Sequence, residues 1–292
     1  KITQKNNFSV FFGIFLVSML FVPPSMPLMI PEAFAAQDNG DFKLEYDRTN
    51  KYTDYKEWIE STGYFESQIE GLNDYFMLPY DVPVRIEECG EDSHWSPYYD
   101  PNEKEIIYCY EAFVFIYKIM DTLRLHGWEY APDIFCKPVE PNCTKFNPTV
   151  EHRTLNVIDS FFYHEIGHAM IDVYDLSIPG NQETSADSMT GYILLYLRNG
   201  GDTGNDAIRD AAWFFLLGSS LDEFEFSDYA GIHPLNIQRF FNLACYAYGS
   251  NPSLNHDLIN LGLPESRAKW CHIEWNDNVR DWDILLKPYL QT

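Results

Sequence analysis

Residues 160–187 read SFFYHEIGHAMIDVYDLSIPGNQETSAD, and this stretch carries the most informative pattern in the chain. Within it, His164-Glu165-Ile166-Gly167-His168 is an H-E-x-x-H sequence. Positions i and i+4 of an α-helix project from one face, so both imidazoles can reach a single metal ion. Pro179-Gly180 then ends the apolar helical pattern, and a second polar helix follows. The stretch predicts a metal-binding helix, a tight loop and a second helix.

A third metal ligand is expected at the start of that second helix. Glu183 lies fifteen residues past His168 and can complete a set of two histidines and one glutamate, which leaves a fourth position for water. Asp187 follows one turn later and can accept the free N–H of a ligand histidine, fixing its tautomer. Two alternatives stay open. Asp187 is the next candidate for the third ligand, and Glu183 would otherwise be an acid that interacts with the helix dipole.

The remaining catalytic groups follow from the chemistry of metal-assisted hydrolysis. Glu165 lies beside the ligands and can take a proton from a zinc-activated water, then pass it to a leaving amine. The oxyanion of the tetrahedral intermediate needs a donor, for which His233 is the candidate, with Tyr246 and Arg239 behind it. His233 could equally be a residue at a helix start. The prediction is therefore zinc-dependent hydrolysis of a peptide or protein substrate.

Two other classes of function are compatible with the motif. One is a zinc hydrolase that acts on something other than peptides, or an inactive secreted zinc-binding protein that retains the site. The other is a secreted binding or structural protein in which H-E-x-x-H is accidental, since the chain contains eight histidines. Metal analysis separates the accidental motif from the zinc proteins, and a peptide digest with and without chelator separates the peptidase from the rest.

The order of the motifs resembles that of the gluzincin metallopeptidases, in which H-E-x-x-H is followed by E-x-x-A-D and a glutamate is the third zinc ligand. Over roughly residues 80–285 the chain is similar to a family of exported, metallopeptidase-like proteins. The shared motifs are Cys89-Gly90, Tyr99-Asp100-Pro101 and the segments 106–111, 164–169, 183–187 and 233–249. The resemblance implies His164, His168 and Glu183 as zinc ligands and Glu165 as the base. Asn236 departs from it, since that family has an acid there.

The N-terminus has the composition of an export signal. Lys1 and Lys5 precede an apolar stretch over 8–22, a proline-rich segment and Ala33-Phe34-Ala35. The apolar stretch is short for a membrane span, which needs about 20 residues. We expect a cleaved signal over residues 1–35 and a secreted protein. The alternative is an uncleaved segment that anchors the protein to the outer face of a membrane.

Charge and cysteine content agree with export. A formal net charge of −24 argues against nucleic acid and against anionic membrane surfaces as partners. All six cysteines lie after the apolar segment, and no C-x-x-C pair is present. Sequence alone leaves 15 connectivities open. Local pairing is our expectation, as Cys89–Cys109, Cys136–Cys143 and Cys245–Cys271.

The fold class expected is α+β, a small N-terminal strand region followed by a mostly helical metallopeptidase body that contains the H-E-x-x-H helix. We expect a linker over 36–55 and one domain over 56–292. Strands are predicted over 82–88 and 105–110, the latter either an edge that pairs with substrate or an ordinary core strand. Helices are predicted over 55–74, 111–125, 151–174, 183–199, 205–220, 233–249, 254–261 and 275–289. The acidic and aromatic residues 222–229 are expected to form a solvated loop, or to bias the cleft toward basic peptides.

Overall fold

A computed structural model describes residues 38–90, 95–125, 150–198, 202–221 and 226–291, all within one structural unit, Ala35–Thr292. The predicted export signal and the predicted Cys136–Cys143 disulfide lie outside the described residues.

A four-stranded sheet forms the N-terminal part of the described structure. Its strands are β1 (Phe42–Tyr46), β2 (Val82–Glu87), β3 (Tyr98–Asp100) and β4 (Glu105–Cys109). The spatial order is β1-β2-β4-β3, with β1, β2 and β4 parallel and β3 antiparallel to β4. Alternate residues of β2 are buried, as expected for a strand with one face on the core.

Helices make up most of the rest. They are α1 (Thr53–Thr62), α2 (Tyr64–Tyr75), α3 (Tyr110–Leu125), α4 (Val150–Val173), α5 (Gln182–Tyr192), α6 (Asp202–Leu221), α7 (Asn236–Ser250) and α8 (Glu265–Leu286). A π-helical turn, Ile193–Leu197, extends α5, and short 3₁₀ segments lie at Phe226–Ala230, His256–Ile259 and Lys287–Tyr289. The α+β class is therefore confirmed, with a small sheet and a mostly helical body.

Helix α4 is the central element, because it packs on α3, α5 and α6 and also on β3 and β4. Its buried residues extend around the whole helix and include polar ones. A buried polar group needs a partner, and several of these find one on a neighbouring element. Arg153, for example, donates to Asp210 on α6 at 2.9 and 2.7 Å. Helix α4 is thus fixed from several sides, which gives the residues it carries a rigid support.

The C-terminal residues return to the N-terminal part of the unit. Met77 N donates to the Tyr289 carbonyl at 2.8 Å, and Gln291 N donates to the Tyr75 carbonyl at 3.0 Å. The rings of Tyr174 and Tyr289 stack with centroids 3.8 Å apart. The end of the described chain is therefore joined both to the end of α2 and to the residue that follows α4.

Two of the three predicted disulfides are confirmed. Cys89–Cys109 joins the residues after β2 to the end of β4, and Cys245–Cys271 joins α7 to α8. Among the described residues, no helix is both long and apolar enough to cross a lipid bilayer.

Several expectations from the sequence are corrected. Strand β1 lies inside the predicted linker over 36–55, since Phe42 and its alternate neighbours pack on the sheet despite the charged residues around them. The predicted helix over 55–74 is divided at Gly63, whose φ of 60° takes the left-handed conformation that glycine tolerates. Strand β4 is not an edge, because β2 and β3 pair with its two sides. It therefore has no free side on which a substrate strand could pair.

The predicted ends of three C-terminal helices also shift. Helix α8 begins at Glu265, ten residues before the predicted start at 275. Helix α7 begins at Asn236, so His233 precedes it in a loop. Residues 256–259 form only a single 3₁₀ turn.

Candidate metal centre

Three side chains from α4 and α5 converge on one point. His164 Nε2 and His168 Nε2 lie 3.1 and 3.2 Å from Glu183 Oε2, and the two nitrogens are 3.2 Å apart. Ligands bound 2.0–2.1 Å from a tetrahedral zinc ion are separated by about 3.3 Å. The spacing of the three donor atoms therefore matches that of a metal-ligand set, and the residues can hold a metal ion.

The local sequence explains why the two helices bring these atoms together. His164 and His168 occupy positions i and i+4 of α4, so they share a face. The loop before α5 ends at Asn181, whose side-chain oxygen accepts from the backbone N–H groups of Glu183 at 2.8 Å and Thr184 at 3.3 Å. This N-cap fixes the first turn of α5, and with it the position of Glu183.

Glycine allows the two helices to approach closely. A Cβ atom at Gly167 would lie 3.0 Å from the Cα of Ala186 and 3.3 Å from its Cβ. Gly167 lies between the two histidines, and Ala186 lies between Glu183 and Asp187. A close contact between α4 and α5 therefore lies at the level of the clustered side chains.

The other nitrogen of His164 is held by a buried ion pair. Its Nδ1 lies 2.8 Å from Asp187 Oδ1, a contact that would orient His164 if it binds a metal ion. Arg239 on α7 donates to both oxygens of Asp187, through Nη2 at 2.5 Å and Nε at 2.9 Å. The guanidinium carbon of Arg239 lies 4.0 Å from the ring centre of Phe215. Arg239, considered from the sequence as an oxyanion donor, is therefore placed against Asp187.

His168 has a separate partner. Its Nδ1 lies 3.1 Å from the side-chain oxygen of Gln182, the residue directly before Glu183. The sequence analysis did not identify Gln182 as a partner of His168. Its position at the first residue of α5, directly before Glu183, could have indicated this contact.

His233 joins the cluster from a distant part of the chain. Its Nε2 lies 2.9 Å from Glu183 Oε2, and its side chain is 55% exposed. Asn181 Nδ2 donates to the Ile232 carbonyl at 2.6 Å, so the loop that carries His233 is tied to the cap of α5. Tyr246, the other oxyanion candidate, packs against Gly191 and Trp275 instead.

Glu165 is buried, with 5% of its surface exposed, and lies on α4 between the two histidines in sequence. Burial raises the pKa of its carboxyl group, against the opposing effect of charges on His164 and His168. A carboxyl group with a raised pKa is suited to accept a proton near neutral pH.

Neighbouring charges and hydrogen bonds shift the pKa values of the clustered side chains. Burial alone would lower the pKa of His164, but its hydrogen bond and charge interaction with Asp187 raise it to about 9. Burial would likewise raise the pKa of Asp187, but the Arg239 charge lowers it to about 2. Hydrogen bonds from three histidines overcome the burial of Glu183 and hold its pKa well below the usual range. A metal ion that binds here takes the place of a proton.

Comparison with known proteins gives one match. Residues 45–286, most of the chain, match the model of a family described as "Putative metallopeptidase". No curated protein and no solved structure shows a significant match.

Proposed function

The chain belongs to this family of putative metallopeptidases, and on that premise we propose that it is a zinc-dependent peptidase of the gluzincin type. In this proposal His164, His168 and Glu183 are the zinc ligands and Glu165 is the general base. The observation that supports it best is the convergence of two imidazole nitrogens and one carboxylate oxygen within 3.2 Å of one another.

Zinc fits this donor set better than the hard cations do. Two neutral imidazoles with one carboxylate are ligands of catalytic zinc sites, whereas calcium and magnesium prefer sites made of oxygen atoms alone. A bound zinc ion would lower the pKa of a water molecule and polarise the carbonyl of the cleaved bond. Buried Glu165 would accept the proton of that water and deliver it to the leaving amine.

His233 is the proposed donor to the developing oxyanion. It approaches the cluster from a side that neither α4 nor α5 occupies, and more than half of its side chain is exposed, which leaves it open to substrate. An N–H group fixed near the reacting carbonyl stabilises the charge that forms there. Asp187 and Arg239 would act through His164, which they orient.

The site of action proposed is extracellular, with a peptide or protein substrate. Two disulfides are typical of a protein that folds in an oxidising compartment, which agrees with the export signal expected from the sequence.

Metal content and hydrolysis test the proposal together. We expect Glu165→Gln to keep about one zinc per chain and to lower the cleavage of a broad peptide mixture by at least about a thousandfold, since it removes the base and leaves the ligands. His164→Ala and Glu183→Ala should lose zinc and activity together. Metal analysis, with digestion of the mixture in the presence and absence of chelator, measures both.

Matched controls come from the same helix. Glu151→Gln and His152→Ala change exposed residues in the first turn of α4 and should leave metal content and cleavage unchanged. Full zinc content in Glu183→Ala would contradict the ligand assignment. Full activity in Glu165→Gln would contradict the assignment of the base.

A further inference from the structure

A cavity of about 460 Å³ lies directly beside the metal-binding cluster. His233 belongs to both, since it lines the cavity and contacts Glu183. Asn181, the N-cap of α5, and Thr184, in its first turn, form another part of the wall. We call this space the α7 cavity, because the first turns of α7 complete it. A peptide bound at the cluster would place one of its neighbouring side chains in this cavity.

The walls of the α7 cavity combine apolar surface with one full negative charge. Tyr229, Ile232 and Phe241 supply the apolar surface, and Asp228 supplies a carboxylate. Tyr229 and Ile232 are 65% and 69% exposed, so their apolar surface is accessible to a ligand. No lysine or arginine lines the cavity in the part of the chain that the structure describes.

Helix N-termini attract anions, and two of them border the cavity, so their contribution must be weighed. At α5, the N–H groups of Glu183 and Thr184 are bonded to the Asn181 side chain. The carboxylate of Glu183 also lies in that first turn and offsets the positive end of the helix dipole. At α7, the Leu235 N–H is bonded to the Gln238 side chain at 3.0 Å. Asp228 adds a carboxylate to this wall, and the net charge of −24 on the chain favours a cationic ligand further.

We propose that the α7 cavity receives a basic side chain, lysine or arginine, from the substrate residue next to the cleaved bond. The aliphatic part of that side chain packs on Ile232 and on the rings of Tyr229 and Phe241, and its cationic end faces Asp228. Long basic side chains combine an apolar stem with a charged end, and aromatic faces attract cations. The inference rests on the proposed peptidase function and adds its substrate class.

Matched peptides test the assignment with the full-length, zinc-loaded protein. Quenched fluorescent peptides carry lysine, norleucine or glutamate at each of the two positions that flank the cleaved bond. Norleucine keeps the stem of lysine and lacks its charge. At one of the two positions, kcat/KM should be about tenfold higher for lysine than for norleucine, the size expected for one charge-assisted hydrogen bond, and lowest for glutamate.

Two variants separate a local effect from a general one. Asp228→Asn should reduce the preference for lysine over norleucine to within about threefold. Asp277→Asn removes the same charge from a residue of α8 that does not line the cavity, and should leave the preference unchanged. Its side chain is half-exposed.

Each result decides the matter. Chelator-sensitive cleavage without a preference for lysine, or a preference that survives Asp228→Asn, overturns the basic specificity and leaves the peptidase proposal standing. The absence of chelator-sensitive cleavage from every peptide overturns the peptidase proposal and this inference with it.

Discussion

At the scale of single residues, Arg239 is linked to the proposed zinc ligands without contacting the point where they converge. It binds both oxygens of Asp187, and Asp187 in turn contacts the nitrogen of His164 that faces away from the cluster. A histidine that binds a metal almost always donates its other ring N–H to a fixed partner, which sets its tautomer and orientation. Arg239 should therefore influence metal affinity through Asp187 and His164.

Replacement of Arg239 by methionine should weaken zinc binding about 10–100-fold, the range found when a partner of a ligand histidine is lost. Removal of one member of a buried ion pair should also cost about 3–5 kcal/mol in the free energy of unfolding. Arg239→Lys, which keeps the charge, should restore part of the affinity. Competition with a chelator measures affinity, and chemical denaturation measures stability.

Arg280→Met is the matched control, since Arg280 forms its ion pairs on the exposed surface of α8. Arg280→Met should change neither the zinc affinity nor the free energy of unfolding appreciably. Equal zinc affinity in Arg239→Met and the original protein would show that Asp187 orients His164 without help.

The pairing of Arg239 with Asp187 could not be predicted from the sequence, unlike the cluster of His164, His168 and Glu183. The spacing of His164, His168 and Glu183 follows from helix geometry within one short stretch, so the sequence was enough to assemble them. Arg239 lies 52 positions from Asp187. Its role depends on how α7 packs against α5, which no local pattern encodes.

At the scale of elements, the close approach of α4 and α5 brings the proposed zinc ligands together. The contact of Gly167 with Ala186 lies between His164 and His168 on α4 and follows Glu183 on α5. Any side chain added there must move one helix away from the other, and the ligands move with it. The geometry of the proposed ligands therefore depends directly on the distance between α4 and α5.

Gly167→Val should separate α4 from α5, with a cost of about 1–3 kcal/mol in stability and a clear loss of zinc affinity. Gly71→Val is a matched control, because Gly71 also lies within a helix but has open space around its missing Cβ. The control should be close to neutral in stability and retain zinc. Denaturation and metal titration of both variants measure the difference, and normal zinc binding by Gly167→Val would contradict this view of the contact.

The long buried helix α4 was predicted well, and elements of more polar composition were not. Helix α4 was expected over 151–174 and is observed over Val150–Val173. The start of α8 was missed because its first residues are mostly polar and bury only Ala268 and Cys271 before Trp275. Strand β1 was missed although Phe42, Leu44 and Tyr46 alternate with charged residues, because the polar and charged residues on both sides of it gave the whole segment the composition of a linker.

At the scale of the whole molecule, the ligands join two neighbouring helices of one helical body. A metal ion bound by the folded state alone adds to its stability by mass action. Glu183 contacts three histidines without an ion between them, so the chain should also fold in the absence of metal.

Zinc at one hundred times its dissociation constant should stabilise the protein by about 2.7 kcal/mol. For a domain of this size, that corresponds to a rise in Tm of roughly 5–11 °C. Calorimetry with zinc, and with an excess of chelator, measures the shift. His164→Ala is the control and should show no rise in Tm on addition of zinc.

The contacts of the C-terminal residues with α2 join distant parts of the chain. Tyr289 and Gln291 bond to residues more than two hundred positions earlier, and the ring of Tyr289 also stacks on Tyr174 after α4. Contacts between positions so far apart form only after a large loss of chain entropy, so they favour slow folding in which this closure comes late.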